Sequence, residues 1–474
     1  MASRYAALDC AEAAWRDAGS IKLTQTHILM SNATPPRQSM TTSEMFSSFL
    51  GNLTICDRAT ISARYERITA ALNRKFRDTD SKTANSLQIG SYGRRTGIKG
   101  LSDLDMIYIL PKGEWDRLKN DQYKALSETK AAIESTYPST SISVDRLVVV
   151  VKFESYVIEV QPCFEQPDGT FLHPDTYRKQ WLPTMPREEM AAVNEMDGDT
   201  NGNLRDLCKM ARAWRNKHGL KMGGLLIDTL AYQFLGNTSE YDDTSYSNHD
   251  QMVLEFFTYL SEEPTDKNYY KAPGSGQNVR IKKRFQKKAK KAAGLCQAAI
   301  DASGQTNCNE KWRKVFGRPF PLAVEVSKSA IQLSSATPSW RNTEEFIEDR
   351  FPVDIRYDLK IDCSVSQKAH RTFTLREFLS KGLRLARYKS LEFYIERLDP
   401  DLTEPYEIRW KVLNRGQRAR ELDCVRGQIK VGGKAIHEHT NFRGEHIVEC
   451  YIVKHGVVVA KDRIDVPIDD QQNS

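Results

Sequence analysis

The stretch GSYGRRTGIKGLSDLDMIYIL, residues Gly90 to Leu110, decides how this chain folds and where its chemistry can take place. It ends in an apolar run stopped by Pro111, which predicts a short β-strand that begins near Asp103. Successive side chains of a strand point to opposite faces, so Asp103 and Asp105 project to the same side. Two carboxylates placed in this way can share a divalent cation, and their hard oxygen atoms suit Mg²⁺, with Mn²⁺ as a substitute. Asp-x-Asp pairs are also common in solvated turns, which is the alternative interpretation.

Gly90 and Ser91 lie at the other end of this stretch, with Ser91 twelve residues before Asp103. A turn at this place can present backbone N–H groups and a hydroxyl to a phosphate, and glycine lets the backbone approach closely. The Gly-Ser pair alone is not specific. It predicts phosphate binding only because the carboxylates follow it.

A third carboxylate, Glu159, lies within the apolar run Val157 to Val160, which Pro162 is expected to end. The β-branched run Asp145 to Val151 comes just before, and the two runs predict a hairpin. A buried carboxylate without a partner is costly, so Glu159 needs a metal, a cation or an exposed edge strand. If its strand neighbours that of Asp103, three carboxylates can hold two Mg²⁺ for attack of a hydroxyl on phosphorus.

A helix with a cationic face is predicted from about Asn203, where apolar residues recur at helical spacing. Arg205, Lys209 and Arg212 follow one another at steps of four and three residues, on the side opposite the apolar stripe. Most such faces are only solvated. If this one lines a cleft beside the carboxylates, it can hold the phosphates of a nucleotide.

The organisation of the chain follows from its 474 residues, which suggest about three domains, and from the order of its patterns. A helix over Arg58 to Arg77 and the strands above predict a mixed sheet flanked by helices. Helical patterns then dominate, and short strands at the C-terminal end suit a β-sandwich. The predicted parts are a poorly structured leader, with Met40 as an alternative start, a core, a helical lobe and a β-rich domain: 1–39, 40–202, 203–335 and 336–474.

Composition excludes several classes of protein. The net charge of +7 is mild, and nine scattered cysteines without C-x-x-C pairs argue against a disulfide framework or a structural zinc site. No apolar run is long enough to span a bilayer, so we expect no membrane association and a reduced, cytoplasmic protein. The basic run from Arg280 to Lys291 can attract a phosphate backbone, although a solvated helix face explains it equally well, and nucleic acid is not a required partner. P-loop and H-E-x-x-H motifs are missing.

The ordered motifs resemble the polymerase-β-like nucleotidyltransferase superfamily: Gly90-Ser91, the Asp-x-Asp pair, then Glu159 followed by Gln161-Pro162. Within it the chain is similar to the cGAS/DncV-like nucleotidyltransferases (CD-NTases), in their bacterial SMODS group. The supporting text is VIEVQPCFE at Val157–Glu165, GTFLHPD at Gly169–Asp175 and ARAW at Ala211–Trp214. Beyond Pro338 the chain resembles the AGS-C sensor domain, through YEIRWKVLNRG at Tyr406–Gly416 and GEHIVECYI at Gly444–Ile452.

This resemblance implies an α+β fold with a polymerase-β-like core, a helical lobe and a C-terminal β-sandwich-like domain. It also implies a metal triad for two Mg²⁺ ions, formed by Asp103, Asp105 and Glu159. It further implies contacts from this chain to a donor triphosphate, made by Gly90, Ser91, Lys209 and Arg212. Arg212 stands where relatives carry a phosphate-binding lysine, and Gly223-Gly224 stands where they carry a serine, so these contacts depart from the family pattern.

The function implied is template-independent synthesis of a cyclic di- or oligonucleotide second messenger from NTPs, with ATP, GTP or both as the expected substrates. A separate effector protein would read the product in bacterial antiphage (CBASS) signalling. Two alternatives remain open from the residues. One is a terminal nucleotidyltransferase that acts on RNA or a small molecule, and the other is a nucleotide or RNA sensor without turnover.

Overall fold

A computed structural model describes residues 40–100, 103–154, 156–323, 344–366, 372–441 and 443–469. The predicted leader and the expected boundary at 335 and 336 lie outside these residues. None of the helices in the described ranges combines the length and hydropathy that a bilayer crossing requires.

The first part of the chain forms a sheet with helices against it. Its elements in chain order are α1 Thr42–Asn52, α2 Arg58–Arg77, β1 Ser86–Gln88, α3 Gly90–Gly93, β2 Asp103–Ile109, α4 Trp115–Leu118, α5 Gln122–Glu134, β3 Ser141–Asp145, β4 Val148–Lys152, β5 Val157–Glu165, β6 Phe171–Asp175 and β7 Gln180–Thr184. The strand order is β1-β2-β5-β4-β3, with β6 paired to β5 and β7 to β6. Only β2 and β5 are parallel among these pairs, so the sheet is mixed, as expected.

Alternation along β2 gives the sheet two different faces. Leu104, Met106 and Tyr108 are buried in one apolar cluster with residues of α2 and α5. The predicted helix over Arg58 to Arg77 is confirmed residue for residue, because its apolar stripe packs on this face. Asp103 and Asp105 consequently lie on the opposite face.

Two strand predictions were wrong. The run from Asp145 to Val151 is two strands, because a turn at Arg146-Leu147 folds β4 back antiparallel to β3. β5 does not end before Pro162 but continues to Glu165. Proline is tolerated there because the register with β4 ends at Val160, which leaves that side of β5 without a ladder to break.

The middle of the chain is helical and shares one large apolar core. It contains α6 Pro186–Asp199, α7 Asn203–Lys217, α8 Gly224–Gly236, α9 His249–Glu262, the hairpin of β8 Tyr269–Lys271 and β9 Asn278–Arg280, α10 Gln286–Ile300 and α11 Cys308–Phe316. The N-terminal α1 also packs here, since its Phe46 meets the rings of Trp312 and Phe320 at 5.1 and 5.5 Å. The domain boundary expected at 202 and 203 stays a prediction. Helix α1, which precedes that boundary, packs into the same apolar core as the helices that follow it.

The C-terminal part is strand-rich, as expected. Its elements are β10 Leu359–Ser366, β11 Phe373–Thr374, α12 Leu375–Ser380, β12 Leu385–Ala386, β13 Ser390–Leu398, β14 Glu407–Leu413, α13 Gln417–Glu421, β15 Arg426–Val431, β16 Ala435–His439, β17 Gly444–Lys454 and β18 Val457–Asp469. They form sheets of four and five strands in the orders β11-β10-β13-β16 and β12-β18-β17-β14-β15. One apolar cluster takes residues from both sheets, including Phe393 and Ile452, which is the arrangement expected of a sandwich.

Phe46→Ala tests the attachment of α1 to the helical core. Phe46 is fully buried among aromatic rings, so its truncation should cost about 3–5 kcal/mol and lower the melting temperature. The matched control is Tyr123→Ala, because the Tyr123 side chain is 61% exposed. Equal melting temperatures for the two variants in a thermal scan would show that α1 is dispensable to that core.

Candidate active site

Neighbouring strands bring the three predicted carboxylates together. In the parallel register of β2 and β5, Asp105 lies opposite Glu159, and Asp103 lies opposite Val157. One carboxylate oxygen from each acidic residue lies within 4.8 Å of those of the other two. β5 has β2 on one side and β4 on the other, so the alternative in which Glu159 faces solvent from an edge strand is wrong.

Burial and mutual repulsion destabilise the ionised carboxylates of this cluster, so a nearby positive charge would stabilise it. Burial, and after it the charge of Asp103, raise the pKa of Asp105 to about 7. Burial, and after it the charges of Asp103 and Asp105, raise the pKa of Glu159 to about 8. Three oxygen donors that repel one another at this distance fit a hard divalent cation, which removes the repulsion when it binds. Their role as metal ligands remains a prediction.

Gly90 is a glycine because Asp105 leaves no room for a side chain. Its φ is +63°, a conformation that other residues rarely adopt, and a Cβ built on it would lie 1.8 Å from Asp105 Oδ2. The Ile89 N–H donates to the Asp105 carbonyl oxygen at 3.0 Å, and the Tyr65 hydroxyl donates to the same oxygen. The backbone of α3 is thereby held directly against the carboxylate cluster.

Ser91 and Lys209, which were predicted from distant parts of the sequence, line the same cavity of about 920 Å³. Tyr65 also lines it, which places the cavity next to the backbone of Asp105. Its described charged lining residues comprise one carboxylate and five cations: Glu66, and Arg58, Lys82, Arg95, Arg205 and Lys209. Such a cavity favours a polyanion, and its volume suits a nucleotide.

Arg212 lies elsewhere, in a buried ion network. Its side chain is 2% exposed and donates to Asp228, which also accepts from Arg94 and Thr96. Although burial raises the pKa of Asp228, Arg212 and Arg94 lower it to about 2. The network joins α7 to α8 and to the residue that follows α3, and this placement favours a structural role for Arg212. Sequence reasoning missed Asp228, which looks in the text like one polar residue in an apolar helix.

Arg356, from the segment before β10, also reaches the carboxylate cluster, and sequence reasoning missed it as well. Its guanidinium forms an ion pair with Asp103, and its Nε lies 3.2 Å from Asp354 Oδ2. The acidic neighbours raise the pKa of Arg356, although burial alone would lower it. The sequence gives only a weak signal for this contact: charged residues alternate at Asp354, Arg356 and Asp358, which indicates a charged face on an extended segment. The pattern does not indicate that Asp103 is the partner of Arg356.

Gly90→Ala should displace the Asp105 carboxylate, because the added methyl group occupies its position. A shift of about 1 Å at a reacting site lowers the rate about 100-fold, which pyrophosphate release would measure. Gly113→Ala is the matched control, since a Cβ there meets nothing within 4 Å. Equal rates for both variants would contradict the close packing of Gly90 on Asp105.

Lys209→Ala and Arg212→Ala should separate binding from stability. Loss of the cavity cation Lys209 should raise the KM for NTP about tenfold. Because its ion pair with Asp206 is partly exposed, the melting temperature should fall only slightly. Loss of Arg212 leaves Asp228 short of a partner in the interior and should cost about 3–5 kcal/mol of stability. The opposite pattern, a stable Arg212 variant with a raised KM, would restore the phosphate-binding role that the resemblance implies.

Comparison with known proteins gives two domain matches. The model of the Second Messenger Oligonucleotide or Dinucleotide Synthetase domain (SMODS) matches residues 40–197. The model of the Adenylyl/Guanylyl and SMODS C-terminal sensor domain (AGS-C) matches residues 341–469. The first match contains all three carboxylates, and the second contains Arg356.

Individual relatives are more distant. The cyclic AMP-AMP-AMP synthase of an Acinetobacter strain is 24% identical over 263 residues, which are 50% of this chain and 72% of that protein. The structure of Escherichia coli MS115-1 CdnC with ATP has a TM-score of 0.45 at 15% identity and covers 59% of this chain and 98% of its own. The structure of Vibrio cholerae DncV cyclic AMP-GMP synthase with a linear intermediate has a TM-score of 0.42 at 14% identity, with coverages of 59% and 87%.

The two domain matches cover the catalytic and C-terminal parts in the order expected from the motifs. The first of them spans the strands whose carboxylates converge in the structure. The chain is therefore a cGAS/DncV-like nucleotidyltransferase (CD-NTase) of the SMODS group with a C-terminal AGS-C sensor domain.

Proposed function

We propose that the protein joins nucleoside triphosphates without a template into a cyclic di- or oligonucleotide second messenger. The observation that carries the proposal is the convergence of Asp103, Asp105 and Glu159 on adjacent parallel strands. The SMODS match and the cyclic AMP-AMP-AMP synthase relative support synthesis of a nucleotide messenger. ATP and GTP are the proposed substrates.

The reaction proposed is transfer of a nucleotidyl group to a ribose hydroxyl. The hydroxyl oxygen of one nucleotide forms a bond to the α-phosphorus of another, the bond to the leaving oxygen breaks, and pyrophosphate departs. A second transfer in the same site closes the ring. Two bound Mg²⁺ ions would supply Lewis acidity at the attacking and leaving oxygens, and Mn²⁺ could replace them.

The residues of the chain divide this work between them. Asp103, Asp105 and Glu159 would hold the cations. Glu159 lies on the side of the attacking hydroxyl and would accept the proton that this hydroxyl loses. The cavity beside α3 receives the triphosphate, because Ser91 offers a hydroxyl there and Lys209 offers a charge. Gly90 lets the backbone approach both the phosphates and Asp105.

We further propose that the product acts in bacterial antiphage (CBASS) signalling and that a separately encoded effector reads it. Synthesis would take place in the cytoplasm, where NTPs are available. The relationship to second messenger synthases supports this role.

The decisive experiment is to incubate the purified chain with four labelled NTPs and Mg²⁺ and to resolve the products by mass. We expect a phosphatase-resistant cyclic product, and Asp103→Ala combined with Asp105→Ala should abolish it together with pyrophosphate release. Asp116→Ala is the control, because Asp116 is 87% exposed in a surface ion pair.

Other outcomes reject the proposal in favour of specific alternatives. An acceptor RNA or small molecule extended by nucleotides would indicate a terminal nucleotidyltransferase. Tight NTP binding without any product would indicate a sensor. Unchanged turnover in the double variant would reject the assignment of the carboxylates.

A further inference from the structure

One cationic side chain at the carboxylate cluster comes from outside the catalytic sheet. Arg356 belongs to the segment that precedes β10, yet it pairs with Asp103, which the proposed function assigns to metal binding. Both side chains remain partly accessible, at 29% for Arg356 and 24% for Asp103. The contact therefore lies where ions from solvent can reach it.

The backbone around Arg356 is held from two sides, so the guanidinium position is set by the fold. We call residues 352–356 the strap. On one side, the Asp354 and Arg356 N–H groups donate to the carbonyl oxygens of Val458 and Val459 on β18, at 3.1 and 2.9 Å. On the other side, Asn216 of α7 donates to the Val353 carbonyl oxygen at 2.6 Å and accepts from the Ile355 N–H at 3.1 Å.

Buried contacts fix the strap further. Ile355 is fully buried in an apolar cluster with Val458 and other residues of the C-terminal part. Asp354 forms a buried ion pair with Arg215 of α7. The strap is thus clamped between the helical part and the C-terminal sheet, and it presents Arg356 to the metal ligands from a rigid backbone.

A guanidinium and a divalent cation compete for the same carboxylate charge. An Arg–carboxylate pair uses the oxygen lone pairs that a metal ion would use, and two cations at one carboxylate repel each other. When Arg356 releases Asp103, it still has a partner, because its Nε already lies 3.2 Å from Asp354. The arginine can therefore withdraw without becoming an unpaired charge.

We propose that Arg356 is a positioning residue of the active site that competes with the divalent cation for Asp103, so that the strap sets the metal affinity of the carboxylate triad. This inference rests on the proposed function, because it requires the triad to bind a metal ion. It assigns to the C-terminal part a direct electrostatic effect on the catalytic centre. A shift of the C-terminal part that moves the strap would therefore change the metal concentration that the enzyme needs for synthesis.

The test is a titration of the whole 474-residue chain with Mn²⁺ in the absence of nucleotide, with free Mn²⁺ followed by electron paramagnetic resonance. Arg356→Ala and Arg356→Gln should each bind Mn²⁺ about 10- to 100-fold more tightly than wild type, the range in which partners of metal ligands act. Arg356→Lys keeps the charge and should restore an affinity near that of wild type. The Mg²⁺ concentration for half-maximal pyrophosphate release should fall in the same order.

Controls separate this effect from a loss of structure. Arg356→Gln keeps the length and polarity of the side chain, so it remains informative if the alanine variant loses stability in a thermal scan. Arg463→Ala removes an exposed cation from β18, where Arg463 pairs with Asp465 at 2.5 Å, and should leave the affinity unchanged.

The failure of this inference differs from the failure of the proposed function. If wild type binds Mn²⁺, Asp105→Asn weakens the binding, and Arg356→Gln leaves it unchanged or weaker, then the inference on Arg356 is overturned alone. If Asp105→Asn has no effect on Mn²⁺ binding, the metal site of the proposed function is overturned together with it.

Discussion

The repulsion among three carboxylates on two adjacent strands is the constraint on which the rest of this structure depends. Asp103, Asp105 and Glu159 place oxygen atoms within 4.8 Å of one another in a partly buried position. Burial and like charge both disfavour their ionised forms, as the raised pKa values of Asp105 and Glu159 indicate. Such a cluster persists only where positive charge compensates it and where the backbone leaves no alternative arrangement.

Both conditions are met by neighbouring elements. The parallel register of β2 and β5 fixes the spacing of the acids, and Gly90 packs against Asp105 so closely that no side chain fits between them. The apolar face of the same sheet packs on α2 and α5. This packing keeps the side chains of Asp103 and Asp105 on the opposite face of β2. Positive charge comes from Arg356, which pairs with Asp103. Under the proposals above, divalent cations would compete with it for that carboxylate.

A second theme is the use of buried ion pairs to join separate parts of the chain. Arg212 and Arg94 meet at Asp228, which connects α7, α8 and the end of α3. Arg215 and Asp354 connect α7 to the strap. A buried pair is costly when one partner is removed, so these contacts fix the relative positions of the helices and the carboxylates. Helix α7 thus bonds to Arg94 at the end of α3, borders the cationic cavity through Lys209 and holds the segment that carries Arg356.

The amino-acid sequence alone determined what depends on local pattern. The period of α2 and the apolar run of β2 are written in consecutive residues, as is the same-side placement of Asp103 and Asp105. The order of the motifs was specific enough to indicate the family. The sequence also indicated that Glu159 would join the two aspartates if its strand lay beside theirs, because a carboxylate in an apolar strand needs a partner. The tertiary structure decided which partners meet when they are far apart in the chain. Whether Arg212 faces a cavity or Asp228 depends on how α7 packs on α8, and helical spacing cannot reveal it. The pairing of Asp103 with Arg356 joins residues more than 250 positions apart through contacts with α7 and β18, and no local pattern encodes such a distance.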